Sequence, residues 1–64
     1  MDKVIAAFKK QFDELSPYLN ERMKRLYAAS IAKQLGHGGL KQAAELTQLC
    51  EQTVSDGIKE LGDP

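Results

Sequence analysis

Two groups of side chains in this 64-residue chain have the types and spacing to act on a partner. Arg22, Arg25, Lys33 and Lys41, with Lys24 among them, are cations that could contact an anionic backbone. Cations supply much of the affinity for duplex DNA, because neutralising phosphates releases condensed counterions. Gln52, Thr53, Ser55 and Lys59 could hydrogen-bond base edges in a major groove. Glu51 and Asp56 lie within the same run and would repel phosphates. The run from Glu51 to Lys59 fits a solvated helix face without a ligand equally well. The cations fit ordinary surface charge.

The remaining reactive residues point to no catalysis. One cysteine, Cys50, excludes a disulfide within the chain, and one His with one Cys cannot build a zinc site unaided. Nothing in the sequence sets a general base beside Cys50. It reads as a substitute helix N-cap or a small buried residue, not a nucleophile. His37-Gly38-Gly39 lacks the glycine frame and following Lys-Ser/Thr of a phosphate loop and reads as a flexible joint. Asp13 and Glu14 are adjacent, and adjacent helical side chains do not face each other. Lys41, near a helix start, could meet a phosphate together with the helix N-terminus. A chain this short has little room for an enclosed active site. No catalytic residue, metal or cofactor is expected, and the chain is not read as an enzyme.

The elements that must position these residues are helical. Leu, Ala, Lys, Glu and Gln dominate and β-branched residues are few. Residues 1–15 carry an apolar stripe, Val4, Ile5, Phe8, Phe12 and Leu15, at helical steps, with Asp2 as a cap. Ser16-Pro17 interrupts it. The second helix, 20–36, opens at Asn20 with Glu21 in its first turn and closes at Gly36. Met23, Leu26, Tyr27, Ser30, Ile31, Gln34 and Leu35 mark its stripe, and Ala28, Ala29 and Ala32 supply propensity.

Residues 40–61 read as a helix-turn-helix. Leu40, Ala43, Ala44, Leu46 and Thr47 form a short helix, Gln48-Leu49 a turn, and Val54, Ile58 and Leu61 the inner face of a last helix beginning at Cys50 or Glu51. Gly62-Asp63-Pro64 ends it. Such a motif needs a small residue at the helix crossing, here Ala44, and an inner aliphatic, here Val54. Its turn residue needs positive φ, which favours glycine, yet Gln48 stands there. The expected fold is one all-α domain, residues 1–64, a small three- to four-helix bundle containing a helix-turn-helix.

Net charge is zero but unevenly spread: residues 16–36 carry +3 and residues 37–64 carry −3. Met1-Asp2-Lys3 leads into no long apolar run, so neither a signal peptide nor a transmembrane segment is expected. With the lone cysteine, this suits a reducing cytoplasm. The first stripe has three uses: completing the core, pairing with a second copy as a homodimer, or lying on a membrane. The core use leads, because a small domain needs the buried area. Acids that match the lysines on the polar face argue against a membrane.

One longer pattern is more specific. Asn20-Glu21-Arg22-Met23-Lys24-Arg25-Leu26-Tyr27-Ala28-Ala29, Ala32 and Leu35-Gly36-His37-Gly38-Gly39-Leu40 are followed by Ala44, Leu46-Thr47-Gln48-Leu49, Thr53-Val54, Gly57-Ile58 and Glu60-Leu61. This resembles the N-terminal segment of bacterial insertion-sequence transposases of the ISAzo type, which carry a Rhodopirellula-type DDE catalytic domain. The resemblance runs over residues 19 to 61. It implies a module that recognises the ends of a mobile element on double-stranded DNA. The RNase H-like domain, with its metal-binding carboxylates, would lie downstream and outside these residues. The chain departs from the family where Gly-Leu-Ser followed by basic residues is usual and Gln48-Leu49-Cys50-Glu51-Gln52 stands instead. Ser55 and Asp56 likewise replace arginines. The competing expectation is a small helical module for protein contact or self-association, with little DNA affinity.

Overall fold

The computed structural model describes residues 3–62. Asp2, expected as a cap, and Asp63-Pro64, expected as a stop, lie outside them. Four α-helices succeed one another: α1 (Lys3–Leu15), α2 (Glu21–Leu35), α3 (Gly39–Thr47) and α4 (Glu51–Gly62). Among the described residues there is no strand. The expected all-α bundle is therefore the fold, with four helices. None of them is long and apolar enough to cross a membrane.

Pro17 acts as its chemistry dictates. The chain leaves α1 at Leu15 and makes one 3₁₀ turn, Ser16–Tyr18, with the proline in its opening positions. Asn20 then takes an extended conformation, and its side chain accepts the Met23 amide at 2.8 Å. This satisfies one of the orphan donors that open α2. Gly36, at φ +74°, closes α2, and its N–H donates to the Ala32 carbonyl.

The core gathers on α2, because α3 and α4 both pack against it. Ala28, Ile31, Ala32, Ala43, Ala44, Leu46 and Val54 form the buried cluster. This corrects one expectation about the second helix. Ala28, Ala29 and Ala32 are buried contact residues, whereas Met23 and Gln34 are exposed. A helix covered on two sides buries a broad arc, and alanine lets both neighbours approach its backbone. Among the described residues, Ile31 and Val54 are the largest side chains removed fully from water. Each contributes roughly 1.5–3 kcal/mol by burial.

α1 packs against α3. Phe12 is buried, and Ile5 and Phe8 lean on the core. The Phe12 and Tyr27 rings meet at 5.8 Å, tilted by 56°, which joins α1 to α2 by an edge-biased aromatic contact. The stripe of α1 thus serves the core, with Val4 and Leu15 exposed at its margins.

The His37-Gly38-Gly39 segment, expected as a joint outside any regular element, is a tight turn whose last glycine already belongs to α3. Gly38, at φ +79°, starts the turn into α3, and the Gly39 N–H donates to the Gly36 carbonyl at 2.9 Å. Gly39 is already helical and buried. A Cβ there would run into the Ala32 carbonyl oxygen and lie 3.0 Å from Leu35 Cβ. The glycine is needed for close approach of α3 to α2.

Candidate nucleic-acid interface

The candidate interface begins with the turn between α3 and α4. Thr47 donates its hydroxyl to the Ala43 carbonyl at 2.6 Å, inside the last turn of α3. Gln48 then adopts the left-handed conformation, φ +62° and ψ +24°. It is the only non-glycine residue with positive φ among those described, at the position where the motif requires that geometry. Leu49 folds back against the core and anchors the turn. A left-handed conformation costs a side-chain-bearing residue roughly 1–2 kcal/mol, while glycine's extra chain entropy offsets part of the relief. Gln48→Gly is therefore expected to stabilise the domain by about 0.5 kcal/mol, read as a higher urea midpoint. An unchanged or lower midpoint would contradict the strain.

Cys50 takes the N-cap role. Its carbonyl accepts the Val54 amide at 3.2 Å, and its Sγ lies 2.9 Å from Thr53 Oγ1. The thiol is exposed. The Thr53 hydroxyl is the main influence, with the Thr53 backbone N–H next, and together they lower the thiol's pKa from its ordinary value. Cys50 alkylation is therefore expected to reach half its maximal rate at lower pH in the folded protein than in urea. Thr53→Val should move that midpoint back up. The thermodynamic sign agrees. Because the folded-state pKa is lowered, the thiolate adds stability above the unfolded thiol's pKa. That stability disappears as pH falls through the folded value.

α4 turns Val54, Gly57 and Ile58 inward. Leu61, expected on that inner face, is 43 % exposed, and Gly57 supplies the contact instead. A Cβ on Gly57 would sit 2.7 Å from the Arg25 carbonyl oxygen, so α4 crosses α2 with almost no gap.

The opposite face of α4 carries Gln52, Ser55, Asp56 and Lys59, which share one side at helical spacing. Gln52 donates its amide to Asp56 Oδ1 at 3.0 Å, so part of its hydrogen-bonding capacity is used within the helix. Thr53 does not belong to this row. It is half-buried and occupied by Cys50.

The cations divide into two sets. Lys33 and Lys41 are exposed on α2 and α3, and Lys59 on α4. Among the described residues, none of the three has a carboxylate within ion-pair distance. Arg22 and Arg25 instead converge on Glu60. Arg25 Nε donates to Glu60 Oε2 at 2.7 Å, and Arg22 Nε lies 3.6 Å from Oε1. The Glu60 hydrogen bond is the chief cause of a raised Arg25 pKa, with burial opposing it. The sequence-derived site thus loses two of its cations to an internal acid. Sequence reasoning misses Glu60 and Gly57 as residues that build the site. The adjoining basic and acidic segments are the signal for the first, and a lone glycine inside a helical pattern is the signal for the second.

Lys24 borders a polar cleft of about 310 Å³ beside the turn, with Asp13, Ser16, Gln48 and Leu49 around it. Among the described residues, no three His, Cys, Asp or Glu side chains gather as metal ligands.

These features define a class of domain. It is an all-α bundle ending in two helices, joined by a left-handed turn, whose outer helix presents a polar face. No family model, curated protein or solved structure matches the chain.

Proposed function

We propose that this chain is the helix-turn-helix DNA-binding domain of an insertion-sequence transposase, recognising the ends of a mobile element. The supporting observation is the α3–turn–α4 unit, with Gln48 left-handed and Gln52, Ser55 and Lys59 on the outer face of α4. In such a unit the second helix enters the major groove while flanking cations touch phosphates. Gln52 and Ser55 carry the hydrogen-bonding groups for base edges. Lys33, Lys41 and Lys59 serve the backbone. The resemblance of residues 19 to 61 to transposase N-terminal segments supplies the element-end role.

With few available cations and Asp56 on the groove-facing side, the affinity is modest. Fluorescence anisotropy on labelled duplex DNA tests this. Binding is expected in the micromolar range at low salt. The log–log salt slope should be about −2.7 for three phosphate contacts, since each contributes about −0.9. Absence of binding at low salt would falsify the reading.

The neutralised arginines favour a second reading, a protein-contact or self-association module. Tyr18, at 83 % exposure, and the exposed Leu15 and Met23 supply apolar side chains for such a contact. Sedimentation without DNA separates the two: a concentration-dependent dimer in a chain that ignores DNA supports the second.

A further inference from the structure

We propose that Arg22 and Arg25 form an anion site for a phosphodiester, and that Glu60 is its built-in competitor. The inference rests on the DNA-binding reading and adds a control to it. The two arginines stand one turn apart on α2, so their guanidiniums reach the same region of space. Glu60 places one carboxylate oxygen on each, Oε2 on Arg25 and Oε1 on Arg22. That is how the two non-bridging oxygens of a phosphate would sit between two guanidiniums. The nitrogen that meets Glu60 is Nε in both contacts. The Arg22 side chain is 71 % exposed, so an incoming phosphate reaches the cluster without opening the core.

The Arg22–Glu60 contact is long and solvent-exposed and the Arg25–Glu60 pair is partly exposed, so salt and a competing anion weaken both. A duplex phosphodiester carries the same single charge as a carboxylate, but it sits in a dense row of like charges, and its neutralisation gains counterion release as well. Glu60 can therefore be displaced, at a cost to DNA affinity. With Glu60 in place the domain binds through its lysines. With Glu60 displaced or neutralised, two arginines join them.

The experiment compares the wild-type chain with Glu60→Gln, which keeps the shape and removes the charge. Glu14→Gln on α1 controls for the loss of one negative charge, and Arg22→Gln/Arg25→Gln is made in both the wild-type and Glu60→Gln backgrounds. Circular dichroism establishes that each folds. Glu60→Gln should bind duplex DNA ~10-fold more tightly at low salt and steepen the salt slope by about 1.8, the value for two added phosphate contacts. The double arginine substitution should abolish that gain while changing the wild-type affinity less than about twofold. A Glu60→Gln chain that matches Glu14→Gln in affinity and slope overturns the proposal. So does an equal loss from the arginine substitutions in both backgrounds.

If neither the wild type nor Glu60→Gln binds duplex DNA, the DNA-binding reading fails. The anion site is then judged on inorganic pyrophosphate, monitored through the Arg Nε–Hε resonances. Shifts at Arg22 and Arg25 in Glu60→Gln that are absent or far weaker in the wild type uphold the site, and no shift in either protein overturns it.

Discussion

Gly57→Ala is expected to destabilise the domain by about 1–3 kcal/mol, the usual range for overpacking a filled contact. The new methyl would stand 2.7 Å from the Arg25 carbonyl oxygen and 2.9 Å from Ala29 Cβ. A backbone carbonyl inside a helix cannot rotate away, so α4 must retreat from α2. Helix propensity acts in the opposite direction and favours alanine by roughly 1 kcal/mol. A net loss would therefore show that close approach outweighs propensity here. The retreat should also separate Glu60 from Arg25, since both contacts lie on the same helix pair. Urea unfolding gives the stability, and Gly62→Ala is the control. A Cβ at Gly62 meets nothing within 4 Å, so that change, made at the last helical position, should leave the midpoint at or slightly above the wild-type value. A Gly57→Ala midpoint at or above the wild type would show that the helices can separate without cost.

Ile31→Ala should cost about 2–5 kcal/mol. Ile31 is 2 % exposed and sits where α2 is enclosed. Its neighbours in the cluster include Ala28, Ala32, Ala43 and Ala44, whose short side chains cannot extend into a cavity. Incomplete collapse places the effect in the upper part of that range. A domain of this size holds only roughly 3–5 kcal/mol of net stability, so most molecules should be unfolded at 25 °C. Far-UV circular dichroism would show it as a loss of helix signal without denaturant. Ile31→Val keeps most of the volume and should cost about 0.5–1.5 kcal/mol. A cooperative, near-wild-type transition for Ile31→Ala would mean that the core is held elsewhere.

Legibility from the sequence tracked the range of the physics involved. Local signals were readable. Asn20 caps α2, Pro17 separates α1 from α2, Gly36 ends α2 and Gln48 occupies the left-handed turn. Each rests on a residue's own backbone preference or on a contact within four positions. The stripe Ile5, Phe8 and Phe12 was readable for a similar reason, because a 3.6-residue period marks one face whatever that face meets. The pattern did not reveal that α2 would be covered by two helices. By periodicity alone its alanines read as propensity although they are contacts, and Leu61 reads as internal although Gly57 holds that place.

The candidate site divides in the same way. The helix-turn-helix frame and the outer row Gln52, Ser55, Asp56 and Lys59 come from spacing along the chain. The state of the cations does not. Arg22 and Arg25 read as available charges until the crossing of α2 and α4 brings Glu60, 35 positions away from Arg25, to 2.7 Å. Sequence alone therefore determined which segments are helical, where they stop and which residue types they display. Tertiary structure alone decided which glycines carry close contacts and which cations remain open to a partner. Helical periodicity and capping depend on neighbours within one or two turns, whereas charge pairing and close approach depend on how two distant helices cross.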